Sequence, residues 1–178
     1  MVLPDTHLAL ATDSGVFSPG RLDPGTRLLL ETAPSPPTDG DLLDLGTGYG
    51  PLALVMASRA PQATVWAVDV NRRALQLCER NAAEAGLSNV RCRLADASAD
   101  LPASYQLIWS NPPIRIGKAA LHQLLTTWLG RLAPGAAAHL VVQRNLGSDS
   151  LQRWLAETGW QADRIAARAG YRVLEVRR

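Results

Sequence analysis

The 178-residue sequence has only two cysteines and lacks a long apolar run, and these shortages exclude several classes of protein. Cys78 and Cys92 form neither a CxxC pair nor a cysteine–histidine cluster, so no structural metal site is expected. Two isolated thiols are typical of buried cysteines in a reducing cytosol. No stretch approaches the roughly 18–20 apolar residues that cross a bilayer. Residues 1–10 contain Asp5 and His7 without a basic flank, so we expect no secretory signal and a cytoplasmic location.

Lysine is also nearly missing, because the chain has seventeen arginines and one lysine, Lys118. The formal net charge of +2 conceals an asymmetry between the two halves. Residues 1–90 hold six arginines and ten acidic residues, whereas residues 91–178 hold twelve basic and six acidic residues. A basic second half can meet phosphate groups. Arginines scattered over a solvated surface explain the same count.

Apolar runs alternate with helical patterns, which predicts an α/β fold with a doubly wound, mostly parallel sheet. Strands are expected at 41–45, 63–68, 90–94, 106–110, 137–142, 161–167 and 171–177, and helices at 51–60, 71–85, 119–132 and 149–157. Only three residues separate the last two strands, so they should close a seven-stranded sheet as an antiparallel hairpin. We expect one domain over residues 1–178, with an N-terminal arm at 1–32 and a proline-rich loop at 33–40.

A glycine-rich turn follows the first expected strand. Asp44 closes that strand, and Gly46, Gly48 and Gly50 come next. Glycine allows a sharp backbone turn and a close approach to a ligand because it has no Cβ. The dinucleotide fingerprint G-x-G-x-x-G would require its third glycine where Pro51 stands. The turn therefore indicates a nucleotide-like cofactor of another kind, and a structural turn without a ligand is the alternative.

Acidic residues stand at the carboxyl ends of the next two strands. Asp69 ends the second expected strand and Asp96 follows the third. Ligands of open α/β sheets bind beyond these strand ends, where a carboxylate can accept both hydrogen bonds of a ribose diol. Each aspartate alone can be a helix cap or a solvated turn residue. Three of them at successive strand ends, with Asp44, favour cofactor binding.

The fourth strand leads into Asn111-Pro112-Pro113, which offers hydrogen-bond acceptors and few donors. Neither proline has an N–H group, and two prolines in sequence stiffen the loop. The side-chain oxygen of Asn111 and the carbonyl of Pro112 can both accept hydrogen bonds from one exocyclic amino group. Such a grip aims the nitrogen lone pair and stabilises the positive charge that develops on it. We predict that these three residues are catalytic, and an ordinary proline-rich turn is the alternative.

The order of these motifs resembles the class I S-adenosylmethionine-dependent methyltransferases, which have a Rossmann-like fold. The resemblance rests on D-x-G-x-G-x-G at residues 44–50 and on Asn-Pro-Pro at residues 111–113. With the lead-in segments at 13–18 and 22–26, the chain is similar to the free-standing, single-domain form of the small-subunit ribosomal RNA guanine-N2 methyltransferase family. The resemblance implies S-adenosylmethionine as cofactor and a guanine amino group of ribosomal RNA as methyl acceptor.

The resemblance also implies roles for individual residues. It suggests that the N-terminal arm closes over the cofactor, that Asp96 faces the adenine amino group, and that Val70 and Ala97 flank the ring. The cofactor residues expected in this way are Phe17, Gly25, Thr26, Asp44, Gly46, Thr47, Gly48, Gly50, Asp69, Val70, Asp96, Ala97 and Asn111.

The chain departs from the family pattern at Ile114, where an aromatic residue usually follows the two prolines. A flipped base needs a planar or apolar wall, which Ile114 can supply in part. Substrate residues are expected at Ile114, Arg115, Lys118, Tyr171 and Arg172. Other interpretations are a methyltransferase for protein glutamine or a small-molecule amine, a non-catalytic cofactor-binding module in ribosome assembly, and a nicotinamide dehydrogenase. Pro51 and the acid pattern disfavour the last of these.

Overall fold

The computed structural model describes residues 1–12, 22–96 and 100–178. Seven strands form one sheet: β1 Asp41–Leu45, β2 Thr64–Asp69, β3 Val90–Leu94, β4 Tyr105–Ser110, β5 Leu132–Gln143, β6 Gln161–Arg168 and β7 Tyr171–Arg177. The described residues also form five α-helices: α1 Pro24–Thr32, α2 Pro51–Arg59, α3 Arg72–Glu84, α4 Lys118–Leu129 and α5 Ser148–Glu157. Two 3₁₀ turns, Ile114–Ile116 and Arg144–Leu146, follow β4 and β5.

The strand order is β3-β2-β1-β4-β5-β7-β6. Strands β1 to β5 pair in parallel, and β7 runs antiparallel to both β5 and β6. The predicted doubly wound sheet with a closing antiparallel hairpin is therefore confirmed. Because β7 inserts next to β5, β6 forms the outer edge of the sheet.

The N-terminal arm contains a helix, α1, that the sequence analysis does not anticipate. Asp23 caps this helix, since its side chain accepts a hydrogen bond from the backbone N–H of Thr26 at 2.8 Å. Pro24 occupies the first helical position, where a missing N–H costs nothing. Residues 28–30 are buried leucines of the core, so the helix is held by tertiary packing.

A second difference concerns the segment between α4 and β5. The sequence predicts a helix to residue 132 and a stop at Pro134-Gly135, yet α4 ends at Leu129 and β5 begins at Leu132. The carbonyl of Arg131 already accepts the N–H of Tyr105 at 2.8 Å, so pairing with β4 starts early. The pairing register then shifts between Tyr105 and Leu107, which accommodates the proline and glycine as an irregularity within the strand.

Two hydrophobic clusters cover the two faces of the sheet. One includes buried residues of α1, α2 and α3, and the other includes buried residues of α4 and α5. Trp109 of β4 is completely buried and Trp128 of α4 is nearly so, and both belong to these clusters. No helix in the described part of the chain is both long and apolar enough to cross a membrane.

Candidate active site

The sheet register brings three predicted site segments together. Leu45 is paired with Val68 on one side and with Ser110 on the other. The next residues along these three strands are therefore neighbours: Gly46, Asp69 and Asn111. The hydroxyl of Ser110, which is fully buried, donates to the carbonyl of Leu45 at 2.7 Å and ties two of the strand ends together.

A cavity of about 480 Å³ opens beyond these strand ends. It is lined by residues of α1, of the glycine turn, and of the loops after β2, β4 and β5. Gly46 and Gly48 line it with positive φ angles of 76° and 55°. A Cβ at either position would meet no other atom within 4 Å, so both glycines present bare backbone. The turn thus leaves room for a ligand to approach the main chain closely.

Gly50 has a different surrounding from the other two glycines. A Cβ there would lie 2.6 Å from the sulfur of Cys78 and 2.6 Å from a methyl group of Leu54. Its φ of 99° also belongs to the region that favours glycine. Gly50 does not line the cavity, and it serves the close packing of α2 against α3.

Asp44 lies beneath the glycine turn and does not line the cavity. One carboxylate oxygen accepts hydrogen bonds from the Thr47 hydroxyl at 2.7 Å and from the Ala53 N–H at 2.9 Å. The other oxygen has no partner among the described residues. Burial raises the pKa of Asp44 to about 7, against the opposing effect of these hydrogen bonds. Asp44 therefore braces the turn and the start of α2, while Thr47 does line the cavity.

Asp69 is held at the cavity wall by two backbone groups. Its carboxylate oxygens accept the N–H of Gly48 at 2.9 Å and the N–H of Asn71 at 2.9 Å. Each oxygen keeps further lone pairs for a ligand. Val70 lines the same wall and is 82% exposed, an unusual state for valine. A carboxylate beside an uncovered apolar side chain suits a ribose and the ring attached to it.

Asn111 also lines the cavity, and its amide group has a fixed orientation. The amide nitrogen donates to a carboxylate oxygen of Asp23 at 2.9 Å and to the Thr26 hydroxyl at 3.0 Å. A carboxylate can only accept, so the NH₂ side of the amide must face it. Among the described residues, the side-chain oxygen of Asn111 has no hydrogen-bond donor. The oxygen can therefore accept a hydrogen bond from a ligand in the cavity.

Pro112, Pro113 and Ile114 continue the cavity wall. The Pro112 carbonyl accepts the N–H of Ile114 at 2.8 Å, and the Pro113 carbonyl accepts the N–H of Ile116 at 3.1 Å. A carbonyl oxygen has two lone pairs, so Pro112 can still accept a second bond. Ile114 is half-buried and packs against the cluster on the α4 side.

Some of the predicted substrate residues line the cavity, and others do not. Arg115 and Tyr171 line the cavity with Ile114. Lys118 begins α4 and is exposed, but it does not line the cavity. Arg172 does not line it either, because its guanidinium forms an ion pair with Asp149 of α5.

The remaining predicted cofactor residues have various positions. Thr26 lines the cavity, whereas Gly25 lies behind it against the ring of Tyr171. Asp96 is exposed and outside the lining, although its neighbour Ala95 belongs to it. Phe17 and Ala97 lie outside the described residues.

Several lining residues were missed by sequence reasoning. The most informative is Asp23, which contacts Asn111 directly. An Asp-Pro pair before an apolar run is a helix-start signal that could have found it. Gln143, at the end of β5, and Leu146, in the turn after it, also line the cavity. They carry no sequence signal of their own.

Comparisons with known proteins give consistent results. A family model described as methyltransferase small domain matches residues 7–175. The uncharacterized protein YbxB of Bacillus subtilis (strain 168) is 32% identical over 178 residues, which is 99% of this chain and 89% of that protein. Ribosomal RNA small subunit methyltransferase C of Shewanella piezotolerans (strain WP3 / JCM 13877) is 33% identical over 147 residues, covering 80% of this chain and 42% of that enzyme. The chain thus spans less than half the length of the ribosomal RNA enzyme.

Solved structures resemble the whole sheet. The T. thermophilus 16S rRNA N2 G1207 methyltransferase (RsmC), in complex with AdoMet and guanosine, has a TM-score of 0.69 and 26% identity, over 92% of this chain and 45% of that chain. A methyltransferase from Pyrococcus furiosus has a TM-score of 0.75 and 20% identity, over 95% of this chain and 87% of that chain. The second similarity supports the fold alone.

Proposed function

Because the chain belongs to the methyltransferase small-domain family, we propose that it transfers a methyl group from S-adenosylmethionine to the N2 amino group of a guanine in ribosomal RNA. The named relative of Shewanella piezotolerans is a ribosomal RNA methyltransferase. The T. thermophilus enzyme was solved with the same cofactor and with guanosine. These similarities support the substrate, and the geometry of the cavity supports the chemistry.

The residues around the glycine turn fit S-adenosylmethionine. Gly46 and Gly48 offer backbone that a ligand can approach, and the Asp69 carboxylate stands where a ribose diol can donate to it. The exposed Val70 provides an apolar wall for an adenine ring. When bound, the cofactor supplies a methyl group on a positively charged sulfur. Asp44 lies below the turn and would act on the cofactor only through the backbone that it braces.

Asn111 is the residue on which the proposed reaction depends. Both hydrogens of its amide are directed to Asp23 and Thr26, so its oxygen is left to accept from a substrate amine. An aromatic amine is a weak nucleophile because its lone pair is delocalised into the ring. Acceptors at Asn111 and Pro112 favour a localised lone pair and stabilise the positive charge that forms on nitrogen. This oriented amide is the single observation that carries the proposal.

The rim of the cavity suits an anionic, base-bearing substrate. Arg115 and Arg144 belong to the two 3₁₀ turns that follow β4 and β5, and both are exposed. Neither guanidinium has an acidic partner among the described residues, which leaves both for phosphate. The same two turns expose Ile116 and Leu146, at 49% and 43% of their surface. Exposed aliphatic groups on the same turns as these arginines can cover the face of a flipped base in place of the missing aromatic residue.

The proposal is tested with purified protein, labelled S-adenosylmethionine and small ribosomal subunits or their naked RNA. Digestion to nucleosides and mass spectrometry should show one N2-methylguanosine per RNA. Asn111→Ala should lower transfer by at least about a hundredfold, the scale of losing one oriented catalytic hydrogen bond, while cofactor affinity changes only a few-fold. Methylation of adenine, of protein or of free amines, with guanine unmodified, would contradict the proposed substrate. Unchanged transfer by Asn111→Ala would contradict the proposed chemistry.

A further inference from the structure

We propose that Asp23 is a positioning residue for methyl transfer, which fixes the sense of the Asn111 amide and strengthens its oxygen as an acceptor. This inference rests on the proposed function of Asn111. The Asp23 carboxylate accepts from the Asn111 amide nitrogen at 2.9 Å and from the Thr26 N–H at 2.8 Å through the same oxygen. Its side chain is almost buried, since the residue is 8% exposed.

The first effect of Asp23 concerns which way the amide points. A primary amide can rotate by 180°, which exchanges its oxygen and its NH₂ group. In the rotated state, the Asn111 oxygen would face the carboxylate, and the NH₂ group would face the hydrogens of a substrate amine. Both contacts would then be repulsive. Thr26 can bond either form because a hydroxyl both donates and accepts, so Asp23 determines the orientation.

The second effect concerns charge. A hydrogen bond to a carboxylate is roughly twice as strong as a neutral one and polarises the donor. Electron density withdrawn from the N–H bonds accumulates on the amide oxygen, which then holds the developing ammonium charge more firmly. Low exposure of Asp23 and Thr26 limits solvent screening of this effect. Burial raises the pKa of Tyr49 and of Tyr171, and the negative charge of the Asp23 carboxylate raises each pKa further.

Helix capping alone does not require a carboxylate at this position. Asparagine and serine cap α-helices about as well as aspartate does. The packing around Asp23 also holds its side chain in one place. A Cβ on Gly25 would lie 3.0 Å from the bonded carboxylate oxygen and 2.6 Å from the Tyr171 ring. Gly25 therefore lets the Tyr171 ring and the carboxylate come close together, and the cap becomes part of the active site.

The test uses three variants of the full chain: Asp23→Asn, Asn111→Asp and the double variant. Asp23→Asn keeps the cap and the shape but removes the charge. Asn111→Asp places two carboxylates in contact, and such a pair must share a proton to be stable. The double variant restores a neutral amide facing a carboxylate, with the two groups exchanged. Asp39→Asn, which removes an exposed acid from the loop before β1, serves as the matched control.

We expect Asp23→Asn to lower kcat by about tenfold, with cofactor affinity and thermal unfolding close to those of the wild type. The activity of Asn111→Asp should rise as pH falls, because protonation restores a donor between positions 23 and 111. The double variant should lose this pH dependence and exceed Asn111→Asp at neutral pH by tenfold or more. If Asp23 only stabilised the fold, substitutions at position 23 would change none of these pH profiles.

Two results would overturn the inference. One is a wild-type kcat for Asp23→Asn, and the other is an Asn111→Asp pH profile that does not change when position 23 is altered. Both readouts can follow methyl transfer to any amine, so failure to methylate guanine affects only the proposed function. If no transfer is detected, the inference is tested by ¹⁵N NMR, which measures hydrogen exchange of the Asn111 side-chain amide. The amide hydrogens should exchange faster in Asp23→Asn than in the wild type, because a neutral amide oxygen accepts a hydrogen bond more weakly than a carboxylate does. Equal exchange rates in both proteins would overturn the inference.

Discussion

Substitution of the buried Asp44 by asparagine should change how the stability of the protein depends on pH. The Asp44 side chain is completely buried, and one of its oxygens has no partner among the described residues. Burial raises its pKa to about 7, and the nearby Asp69 carboxylate adds to the rise, while hydrogen bonds from Thr47 and Ala53 oppose it. In the unfolded chain the same carboxyl should titrate at its ordinary pKa near 4.

The sign of the effect follows from proton counting. Between pH 4 and pH 7 the folded protein holds a proton on Asp44 that the unfolded chain has released. The free energy of unfolding therefore falls as pH rises through this window and levels off above it. A pKa difference of about three units corresponds to roughly 4 kcal/mol over the whole range. From pH 5 to pH 8, the loss attributable to Asp44 should be about 2–3 kcal/mol.

Urea unfolding of wild type and Asp44→Asn at several pH values between 5 and 8 measures this contribution. Other groups titrate in the same range. Burial lowers the pKa of His139 and of His122, and each of these histidines destabilises the fold as pH falls, opposite in sign to Asp44. The difference between the two proteins removes these shared contributions. Asp39→Asn, in an exposed loop, should leave the wild-type curve unchanged.

One result would refute this reasoning about Asp44. If the stability difference between wild type and Asp44→Asn is constant from pH 5 to pH 8, the Asp44 carboxyl does not change its protonation in this range. The anion would then be stabilised by the glycine turn itself, and its unpartnered oxygen would have to gain a donor. The reasoning would also be refuted if the wild type became more stable than Asp44→Asn by an increasing margin as pH rises. A raised pKa of Asp44 predicts the opposite trend.

Two further predictions concern the N-terminal segment and the rim of the cavity. Asn81→Ala should destabilise the protein by about 2–4 kcal/mol in urea unfolding, because the fully buried amide bonds the backbone of Ala11 in both directions and also the carbonyl of Tyr49. Joint replacement of Arg115 and Arg144 by alanine should weaken RNA binding and reduce the slope of log affinity against log salt by about 1.5, the loss of two phosphate contacts.

Matched controls separate these effects from general ones. Gln76→Ala changes an exposed residue on the same helix as Asn81 and should cost less than about 0.5 kcal/mol. Replacing Arg91 and Arg164 by alanine removes two arginines from β3 and β6, the outer strands of the sheet, and should leave the salt slope unchanged. Equal slopes for the two arginine pairs would mean that the rim does not contact phosphate.

The sheet was predictable because its signals are local. The central strands β1, β2 and β4 are short and mostly apolar, and β1, β3 and β7 have the predicted bounds. The helix predicted at 71–85 corresponds to α3, which Asn71 caps, since its side chain accepts from the N–H of Arg73 at 3.0 Å. The first residues of β5 were not predicted as strand, because Pro134-Gly135 is typical of a helix stop. Pairing of Arg131 with Tyr105, which depends on tertiary contact, had already ended the helix region.

Parts of the candidate site could be predicted because residues at the ends of adjacent parallel strands lie close together. Asp69 and Asn111 meet Gly46 because parallel strands end at the same edge of the sheet. The split between Gly48 and Gly50 was not predictable, since both occupy the same motif and only the packing of Cys78 against Gly50 distinguishes them. Arg172 was misplaced for a similar reason, because its partner Asp149 lies on a separate helix.

The opposite net charges of the two halves of the sequence can be related to the residues in and around the cavity. The acidic residues that line the cavity among the described residues, Asp23 and Asp69, come from residues 1–90, which carry an excess of four negative charges. The free arginines of the rim come from the half that carries an excess of six positive charges. The proposed cofactor has a positively charged sulfur and the proposed RNA substrate is an anion, so each would be attracted by the half of the chain with the opposite charge. β1 of the first half and β4 of the second half are adjacent in the sheet, so residues of both halves line the cavity beyond their ends.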